Sequence, residues 1–412
     1  MNILFSIYHW CWAFFGNILY GFPSRKLFVI GVTGTKGKST TLELMNAVLE
    51  ASEKKTALLS TVRRKVGEKS VRNSAGNTMP GRFAIQKFLR DAVNAHCTHA
   101  LIEVSSQGVL QHRHQFIAWD VAAFLNIAPE HIEAHGSFQE YRGAKLEFFR
   151  SVLNSPKLRK YFIINTEDCN YAYFLDIVKD KEGSDVIYFS KNKFLSEKLK
   201  GKKELLGNWL SADFNIENAS AAFALAQILK IEWPTVEHAL AAFNGVPGRL
   251  DIIQREPFAV VVDYAHTPDS LLAVYDALRK DYKTPSGRMI CILGCAGGGR
   301  DKWKRPEMGK IASEKCDTII LTNEDPYDEN PTEIISQIRS GISPDFLKSS
   351  VCEIIDRIEA IRKALSLAHA GDVVIATGKG SESSIHIANG ETVPWNERGV
   401  FEEELKKLRP LN

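Results

Sequence analysis

The sequence predicts an α/β protein with two domains that each contain a mostly parallel sheet covered by helices. Short apolar runs of strand length alternate with amphipathic stretches of helix length along most of the 412 residues. The alternation stops at a turn-rich joint, Gly245-Val-Pro-Gly248, and then begins again with a second glycine-rich loop. Strands that alternate with helices are typical of parallel sheets with helices on both faces.

Hydrophobic spacing defines the elements of the first half. We expect strands at 27–32 (LFVIGV), 56–60, 99–104 and 161–164. We expect helices at 38–51, 82–95, 138–153, 215–229 and 235–243. Together they predict a central domain at 26–247.

The second half repeats the alternation. We expect strands at 258–263, 288–293, 317–321 and 372–376. We expect helices at 268–280, 305–315, 331–340 and 355–369. The pattern predicts a C-terminal Rossmann-like α/β domain at 248–412.

Composition excludes several classes of protein. The 52 basic and 49 acidic residues give a net charge of +3, so nothing indicates a groove for nucleic acid. The seven cysteines include no C-x-x-C pair and no metal-finger spacing, which we interpret as buried or incidental thiols in a reducing compartment. We therefore expect a cytoplasmic protein.

The first 24 residues are unusual, because they contain no Asp, Glu, Lys or Arg and are rich in Phe, Tyr and Trp. They lack the basic start and the cleavage site of a signal peptide. We predict an aromatic helix within 1–25. Three interpretations stay open: a helix packed on its own domain, a surface at 1–22 that touches membrane or a lipid-linked substrate, and a true span.

The segment Gly31–Thr41 (GVTGTKGKSTT) predicts a phosphate-binding loop, or P-loop, between a strand and the N-terminus of a helix. Backbone N–H groups of such a loop approach an anion, a lysine faces the β- and γ-phosphates, and a serine hydroxyl faces Mg²⁺. The usual motif has glycine where this chain has Val32. The predicted ATP contacts of this loop are Gly34, Thr35, Lys36, Gly37, Lys38, Ser39 and Thr40.

Two further residues stand out from their local pattern. Glu103 ends a strand at the carboxyl edge of the sheet, where ligands of α/β folds bind, and a carboxylate there can hold Mg²⁺ beside Ser39. Lys145 projects from the apolar face of its helix, between Tyr141 and Phe148. A bare ammonium is costly there, which favours a paired or chemically altered lysine over one whose head reaches solvent.

Several longer stretches resemble the Mur ligases, and among them the MurE type. They are GVTGTKGKSTT (31–41), EVSSQGVLQHR (103–113), EHIEAHGSFQEYRGAK (130–145), FNIEN (214–218), VPGRLD (246–251), VVDYAHTPDSL (261–271), GCAGGGRDKWKRPEMG (294–309) and ATGKGSE (376–382). The resemblance implies an ATP- and Mg²⁺-dependent ligase that phosphorylates a carboxylate of a cell-wall precursor and joins an amino acid to it.

The resemblance also implies roles for individual residues. It makes Lys38, Glu103, His131 and Lys145 catalytic, and it gives a metal set of Ser39, Glu103, His131 and Lys145, the last as a carbamate. Where this chain has Glu130, the family usually has Asp. Further ATP contacts implied by the resemblance are Asn215, Asn218, Arg249, Asp263, Tyr264 and His266.

Substrate contacts follow from the same resemblance. The acid substrate would meet Thr78, Pro80, Ser105, Gln111 and Arg113. The amino acid would meet Arg300, Lys302, Arg305, Glu324, Asp325, Lys379 and Glu382. The MurE enzymes that use diaminopimelate have a DNPR segment, whereas this chain reads Glu324-Asp325-Pro326-Tyr327. Their GKGHE segment is replaced here by Gly378-Lys-Gly-Ser-Glu382. Loss of a guanidinium fork puts diaminopimelate specificity in doubt.

Only about thirty residues precede Gly31, too few for the α/β domain that holds the UDP moiety in MurE enzymes. We therefore expect that this domain is lacking and that the acid is held by less surface, is lipid-linked, or is presented by a partner. Other interpretations are a MurT-like or folylpolyglutamate-synthase-like ligase, or an ATP-binding scaffold without catalysis. We expect a monomer.

Overall fold

The structure, a computed structural model, describes residues 3–73, 78–130, 132–200, 208–282, 284, 286–348 and 350–408. The chain divides into two compact units, Met1–Asn244 and Gly245–Asn412. Each unit contains its own sheet and its own apolar core, so each is described separately.

The first unit is built on a sheet that has eight strands within the described residues, in the order β4-β3-β2-β5-β1-β6-β7-β8. The strands are β1 (Phe28–Thr33), β2 (Thr56–Leu59), β3 (Arg63–Val66), β4 (Lys69–Arg72), β5 (His99–Glu103), β6 (Val121–Phe124), β7 (Lys160–Asn165) and β8 (Ser184–Phe189). Strands β2, β5, β1, β6, β7 and β8 run parallel, whereas β3 and β4 continue the sheet antiparallel.

Helices cover both faces of this sheet. They are α1 (Ile3–Leu19), α2 (Lys38–Ala51), α3 (Arg82–Asn94), α4 (Ser106–Leu110), α5 (Ile132–His135), α6 (Phe138–Leu153), α7 (Tyr171–Val178), α8 (Lys191–Glu197), α9 (Asp213–Ile228) and α10 (Trp233–Ala241). One face packs against α2, α9 and α10, and the other against α3, α6 and α7. The apolar strands are therefore buried on both sides, as a parallel sheet requires.

The second unit has a sheet of six strands within the described residues, in the order β13-β12-β11-β14-β10-β9, with only β9 antiparallel. Its strands are β9 (Asp251–Gln254), β10 (Ala259–Val262), β11 (Met289–Leu293), β12 (Thr318–Leu321), β13 (Val351–Glu353) and β14 (Val373–Ala376), with a separate hairpin of β15 (Ser384–His386) and β16 (Thr392–Pro394). Its helices are α11 (Pro268–Asp281), α12 (Lys304–Lys315), α13 (Pro331–Arg339), α14 (Pro344–Leu347), α15 (Arg357–Leu367) and α16 (Glu397–Leu408).

The predicted α/β fold class is confirmed, and the long periodic elements lie close to their expected positions. Helix α6 covers the expected 138–153. The sequence pattern did not predict strands β3, β4, β6, β8, β9, β13, β15 and β16. Four of these, β3, β4, β6 and β9, are only four residues long, and the antiparallel edge strands β3 and β4 are largely polar, so their hydrophobic pattern is weak.

The interpretation of all cysteines as free thiols was wrong for one pair. Cys291 in β11 and Cys316 after α12 form a disulfide, with their Cα atoms 6.1 Å apart. They are 25 residues apart in sequence, a separation that carries no local signal. Cys11, Cys97, Cys169, Cys295 and Cys352 are free.

Helix α1 packs on α3 and on the segment after α4 through aromatic contacts. Trp12 lies edge-on to Phe83, with ring centroids 5.1 Å apart, and Trp10 lies edge-on to Phe116 at 5.0 Å. Among the described residues, no helix combines the length and the apolar character needed to cross a membrane. Of the three interpretations given for the N-terminal helix, packing on its own domain accounts for one face of α1.

Candidate active site

The loop Gly34–Gly37, called here the active-site loop, connects β1 to the N-terminus of α2. Gly37 precedes the helix with φ of 80°, in the left-handed region. A Cβ atom at this position would collide with Oδ1 of Asn218 in α9. Both the backbone conformation and the close approach therefore require glycine, and the loop leads directly into the N-terminus of α2, where an anion is favoured.

Two lysine ammonium groups converge on the carbonyl oxygen of Gly34. Lys38 Nζ donates to it at 3.1 Å and to Thr35 O at 3.0 Å. Lys145 Nζ, from α6, donates to the same Gly34 oxygen at 2.7 Å. The structure thus places the predicted catalytic lysines side by side, although they are far apart in sequence.

Lys145 is almost completely buried, with 1% of its surface exposed. Its ammonium lies 4.6 Å from the centroid of the Tyr141 ring. Burial and the charge of Lys38 lower the pKa of Lys145 well below its usual value, and the charge of Glu130 opposes this only in part. A protonated amine is therefore unfavourable at this position.

Ser39 and Glu103 form the predicted pair of oxygen ligands. Ser39 Oγ donates to Glu103 Oε2 at 2.9 Å, and the backbone N–H of Thr61 donates to the same oxygen at 2.8 Å. Parallel pairing aligns Glu103 with Val32 of β1, which explains why the two strand ends meet. Thr61 Oγ1 also donates to Thr78 Oγ1 at 3.0 Å, so a predicted acid-substrate residue lies next to this pair.

Asn126 and Tyr141 support the active-site loop, and neither was predicted from sequence as a site residue. Asn126 accepts from Lys36 N at 2.9 Å, and Tyr141 OH lies 3.1 Å from Thr35 Oγ1. Glu130 forms an ion pair with Lys36 at 3.1 Å. Asn126 follows strand β6, which the sequence pattern does not predict, and the spacing around Tyr141 indicates only an apolar helix face. The predicted metal ligand His131 lies outside the described residues.

Asn215 and Asn218 tie α9 to this loop. Asn218 Oδ1 accepts a hydrogen bond from Thr41 Oγ1 at 3.1 Å, and its Nδ2 is 3.5 Å from Asn215 Oδ1. Asn215 Nδ2 donates to Trp209 O at 2.7 Å. The buried amides therefore hold the start of α2 in place, and their predicted contact with ATP stays a prediction.

The predicted acid-substrate residues gather around α4, and we call this group the α4 cluster. It consists of Thr78, Pro80, Arg82, Ser105, Gln111 and Arg113. Arg113 donates to the carbonyl of Met79 and, at 2.5 Å, to Gln111 Oε1, while Arg82 donates to the Gln111 carbonyl. Ser105 caps α4 by accepting from Gly108 N at 3.2 Å. Arg82 was not identified from sequence.

In the second unit, four predicted ATP contacts lie together. The Arg249 guanidinium stacks over the Tyr264 ring at 4.0 Å, and the Tyr264 and His266 rings are 4.6 Å apart. Asp263 accepts from Leu250 N at 2.6 Å and from Ala265 N at 2.7 Å. Its carboxylate therefore joins the Arg249 turn to the end of β10.

The predicted amino-acid pocket contains a buried group of opposite charges. Lys379 Nζ donates to Asp325 Oδ1 at 2.9 Å. Glu324, 5% exposed, has an Oε2 atom without a hydrogen-bond partner in the described part of the chain. Burial, with the charge of Asp325, raises the pKa of Glu324 to about 7. Burial also raises the pKa of Glu382.

The basic residues proposed for the same pocket have different positions. Arg300 is exposed, donates to Tyr327 OH at 2.8 Å, and covers that ring. Lys302 forms an ion pair with Glu329 at 3.3 Å. Arg305 is fully buried and bonded to Glu329, which favours a structural role for it.

The donor set at Ser39 and Glu103 suits Mg²⁺, because the cation prefers oxygen ligands and few protein carboxylates. Among the described residues, no group of three or more His, Cys, Asp or Glu side chains could hold a metal ion. A site at Ser39 and Glu103 would therefore depend on phosphate oxygens and water for its remaining ligands.

Comparison with known proteins identifies two domain families along the chain. Residues 32–226 match the Mur ligase middle domain, and residues 248–380 match the Mur ligase glutamate ligase domain. The chain is 35% identical over 399 residues to a UDP-N-acetylmuramoyl-L-alanyl-D-glutamate–2,6-diaminopimelate ligase of Aquifex aeolicus, covering 94% of this chain and 79% of the relative. It is 34% identical over 418 residues to a UDP-N-acetylmuramyl-tripeptide synthetase of a Roseiflexus species, covering 94% and 80%.

Solved structures agree with this fold. A UDP-N-acetylmuramoyl-L-alanyl-D-glutamate–2,6-diaminopimelate ligase structure covers 92% of this chain and 78% of its own, with 26% identity and a TM-score of 0.58. A Mycobacterium tuberculosis folylpolyglutamate synthase complexed with ADP covers 90% and 91%, with a TM-score of 0.66 at 16% identity. The second likeness concerns the fold alone.

Replacing Asn218 by Ala should weaken ATP binding. Thr41 would lose a buried acceptor and Gly37 its packing partner, which at about 1 kcal/mol corresponds to a roughly fivefold higher Kd. Isothermal titration with Mg-ATP measures this. Asn192→Ala, on the exposed side of α8, is the matched control and should bind as the wild type does. An unchanged Kd for Asn218→Ala would contradict the role of this amide.

Glu324 should make the stability of the second unit depend on pH. Its pKa of about 7 is above the ordinary 4.5, so the folded state holds the proton more tightly than the unfolded state. Stability should therefore fall as pH rises between those values, on the order of 3 kcal/mol for full ionisation. Urea unfolding at about pH 5 and about pH 8 measures the difference.

The variant Glu324→Gln should lose less stability than the wild type over this pH interval, because no charge forms at the buried position. Glu333→Gln, at an exposed position of α13, should follow the wild type. If Glu324→Gln also follows the wild type, the carboxyl does not titrate in this interval.

Proposed function

This chain belongs to the Mur ligase family, and we propose that its site joins an amino acid to a carboxylate of a UDP-N-acetylmuramoyl-peptide or a related cell-wall precursor. It is an ATP-dependent amide ligase of peptidoglycan synthesis. The observation that best supports the proposed site is the convergence of Lys38 and Lys145 on one loop carbonyl, next to the Ser39–Glu103 pair.

The reaction has two steps. An oxygen of the acceptor carboxylate attacks the γ-phosphorus of ATP, the bond to the β-phosphate oxygen breaks, and ADP leaves with an acyl phosphate remaining. The amine of the amino acid then attacks the acyl carbon, loses a proton and expels inorganic phosphate to form the amide. Both steps gather negative charge, so cationic groups and oriented N–H donors must be in place beforehand.

The first unit has these groups at the active-site loop. The N-terminus of α2 would bind the phosphates, and Lys38 would face the transferred group. Its two hydrogen bonds to loop carbonyls hold the ammonium over the loop. The N–H groups of Thr35 and Lys36 are bonded to Asn126 and hold the loop in place. We propose that Ser39 and Glu103 hold Mg²⁺, with His131 as a further ligand implied by the resemblance; the ion would neutralise phosphate charge.

We propose that Lys145 is carbamoylated. The neutral amine attacks CO₂, forms an N–C bond and releases a proton, so the side chain becomes an anion. The lowered pKa increases the fraction of neutral amine, and a carbamate would replace a buried cation that lies beside Lys36 and Lys38. The anion would serve the same metal region as Glu103.

For the substrates, we propose that the acceptor acid lies along the α4 cluster, where Arg113 supplies positive charge.

The amino acid would meet Glu324, Asp325 and Lys379 in the second unit, and the amino group would donate to Glu324 Oε2. The diaminopimelate ligases named above suggest a diamino acid, but Tyr327 has a phenol where the DNPR segment has a guanidinium. An amino-acid substrate whose side chain ends in a neutral or cationic group therefore fits this chain better than one with a second carboxylate.

The direct test is phosphate release that requires both an amino acid and an acceptor. A panel should include UDP-N-acetylmuramoyl-dipeptide, a lipid-linked form and a folate, each with lysine or diaminopimelate. Turnover with a muramoyl acceptor supports the proposal, and turnover only with folate overturns the proposed substrate. If Mg-ATP binds tightly and no acceptor reacts, the chain is a scaffold. Lys38→Ala should remove activity with every acceptor.

Lys145→Ala should reduce turnover by at least about a thousandfold while ATP binding changes little, since the missing anion affects charge stabilisation during transfer. A short carboxylic acid with bicarbonate should restore part of the rate. Carbon-13 NMR of protein in labelled bicarbonate should detect a carbamate in the wild type and none in the variant. Lys363→Ala, at an exposed position of α15 in the second unit, is the control. Wild-type turnover in Lys145→Ala would eliminate the carbamate.

A further inference from the structure

Helix α1 exposes an unusually large apolar surface. Among the described residues, nine of the twenty large apolar side chains that are exposed lie between Ile7 and Phe22. They are Ile7, Tyr8, Trp10, Trp12, Phe14, Phe15, Ile18, Leu19 and Phe22. Scattered apolar side chains are normal on a surface, but a contiguous group of this kind marks an interaction site.

The opposite face of α1 is fixed to the first unit. Ala13 is 2% exposed, and Gly16 packs on Phe83 of α3. Arg90 of α3 donates to the carbonyls of Tyr20 and Gly21 just after the helix. Because these contacts hold one side, the exposed side has a defined orientation and the helix cannot turn its apolar face inward.

We propose that α1 docks on an anionic lipid bilayer, with its axis in the plane of the headgroups and its exposed aromatic face in the acyl boundary. The helix has 17 residues and contains no charged side chain, and it is attached along one side, a geometry that favours an orientation in the plane of the headgroups. Tryptophan and tyrosine rings prefer the membrane interface, where one end is apolar and the other hydrated.

The charges next to α1 favour anionic lipid over a second copy of the chain. Arg25 and Lys26 follow the helix and are exposed, and no Asp or Glu occurs in the sequence before Glu43. The Arg25 guanidinium lies 4.7 Å from the Phe22 ring centroid, so the basic and apolar groups form one surface. Two copies facing each other through this surface would oppose like charges, whereas anionic headgroups would neutralise them.

Docking would also orient the α4 cluster. His9, on the attached side of α1, lies close enough to Arg82 and Arg113 for their charges, after burial, to lower its pKa. The substrate side of the first unit is therefore adjacent to the docking face, and this consequence alone rests on the proposed function.

The test is co-flotation of the full chain with vesicles of phosphatidylcholine mixed with phosphatidylglycerol, and with vesicles of phosphatidylcholine alone. The wild type should float with the mixed vesicles and less with phosphatidylcholine. The triple variant Phe15→Gln, Ile18→Gln, Leu19→Gln should bind at least about tenfold more weakly to the mixed vesicles. The control Leu158→Gln, Leu272→Gln, Ile355→Gln changes three exposed apolar residues elsewhere and should float as the wild type does.

Arg25→Gln with Lys26→Gln should lower binding to the mixed vesicles about fivefold or more and remove the preference over phosphatidylcholine. Circular dichroism verifies that each variant is folded. Flotation of the triple variant like the wild type would overturn the proposal. The proposal would also be overturned if the wild type did not float and light scattering showed that it forms a dimer that the triple variant does not form. Neither result bears on phosphate release, so docking and ligase activity are tested separately.

Discussion

The carbonyl oxygen of Gly34 is the point on which the active-site loop depends. It accepts hydrogen bonds from both Lys38 and Lys145, so two lysine amines meet at one acceptor in a loop that we propose binds phosphate. This arrangement is costly when only protein is present, because Lys145 is buried and its charge is poorly compensated. The cost decreases when phosphate oxygens or a carbamate bring negative charge to the same place.

The surrounding residues make this arrangement rigid. Asn218 packs on Gly37 and binds Thr41, Asn126 binds the loop at Lys36, and Tyr141 reaches Thr35. Three elements distant in sequence therefore hold a segment of four residues. Such a loop need not reorganise when the transferred phosphoryl group develops charge, which is the physical basis of electrostatic catalysis.

Prediction from sequence succeeded where a local pattern has one physical meaning. The P-loop spacing and the apolar face around Lys145 both depend on residues close together in sequence. The loop, α2 and the burial of Lys145 could therefore be predicted. Asn126, Thr61 and Arg82 could not be predicted, because each acts through a partner supplied by another strand or helix. The Cys291–Cys316 pair was missed for the same reason. Strand order, which brings Glu103 next to Val32, is likewise a property of the folded sheet.

The active-site loop and the exposed face of α1 differ in how deeply their basic residues are buried. Lys36, Lys38 and Lys145 lie together at the active-site loop; Lys145 is buried and the other two are half-buried, so water would screen their interactions with phosphate only in part. At α1, the basic residues Arg25 and Lys26 are exposed to solvent, so salt screens them and they act only over short distances. Specific binding of a nucleotide requires the first arrangement. Reversible attachment to a lipid surface requires the second, because apolar contact supplies most of the affinity and charge selects the membrane.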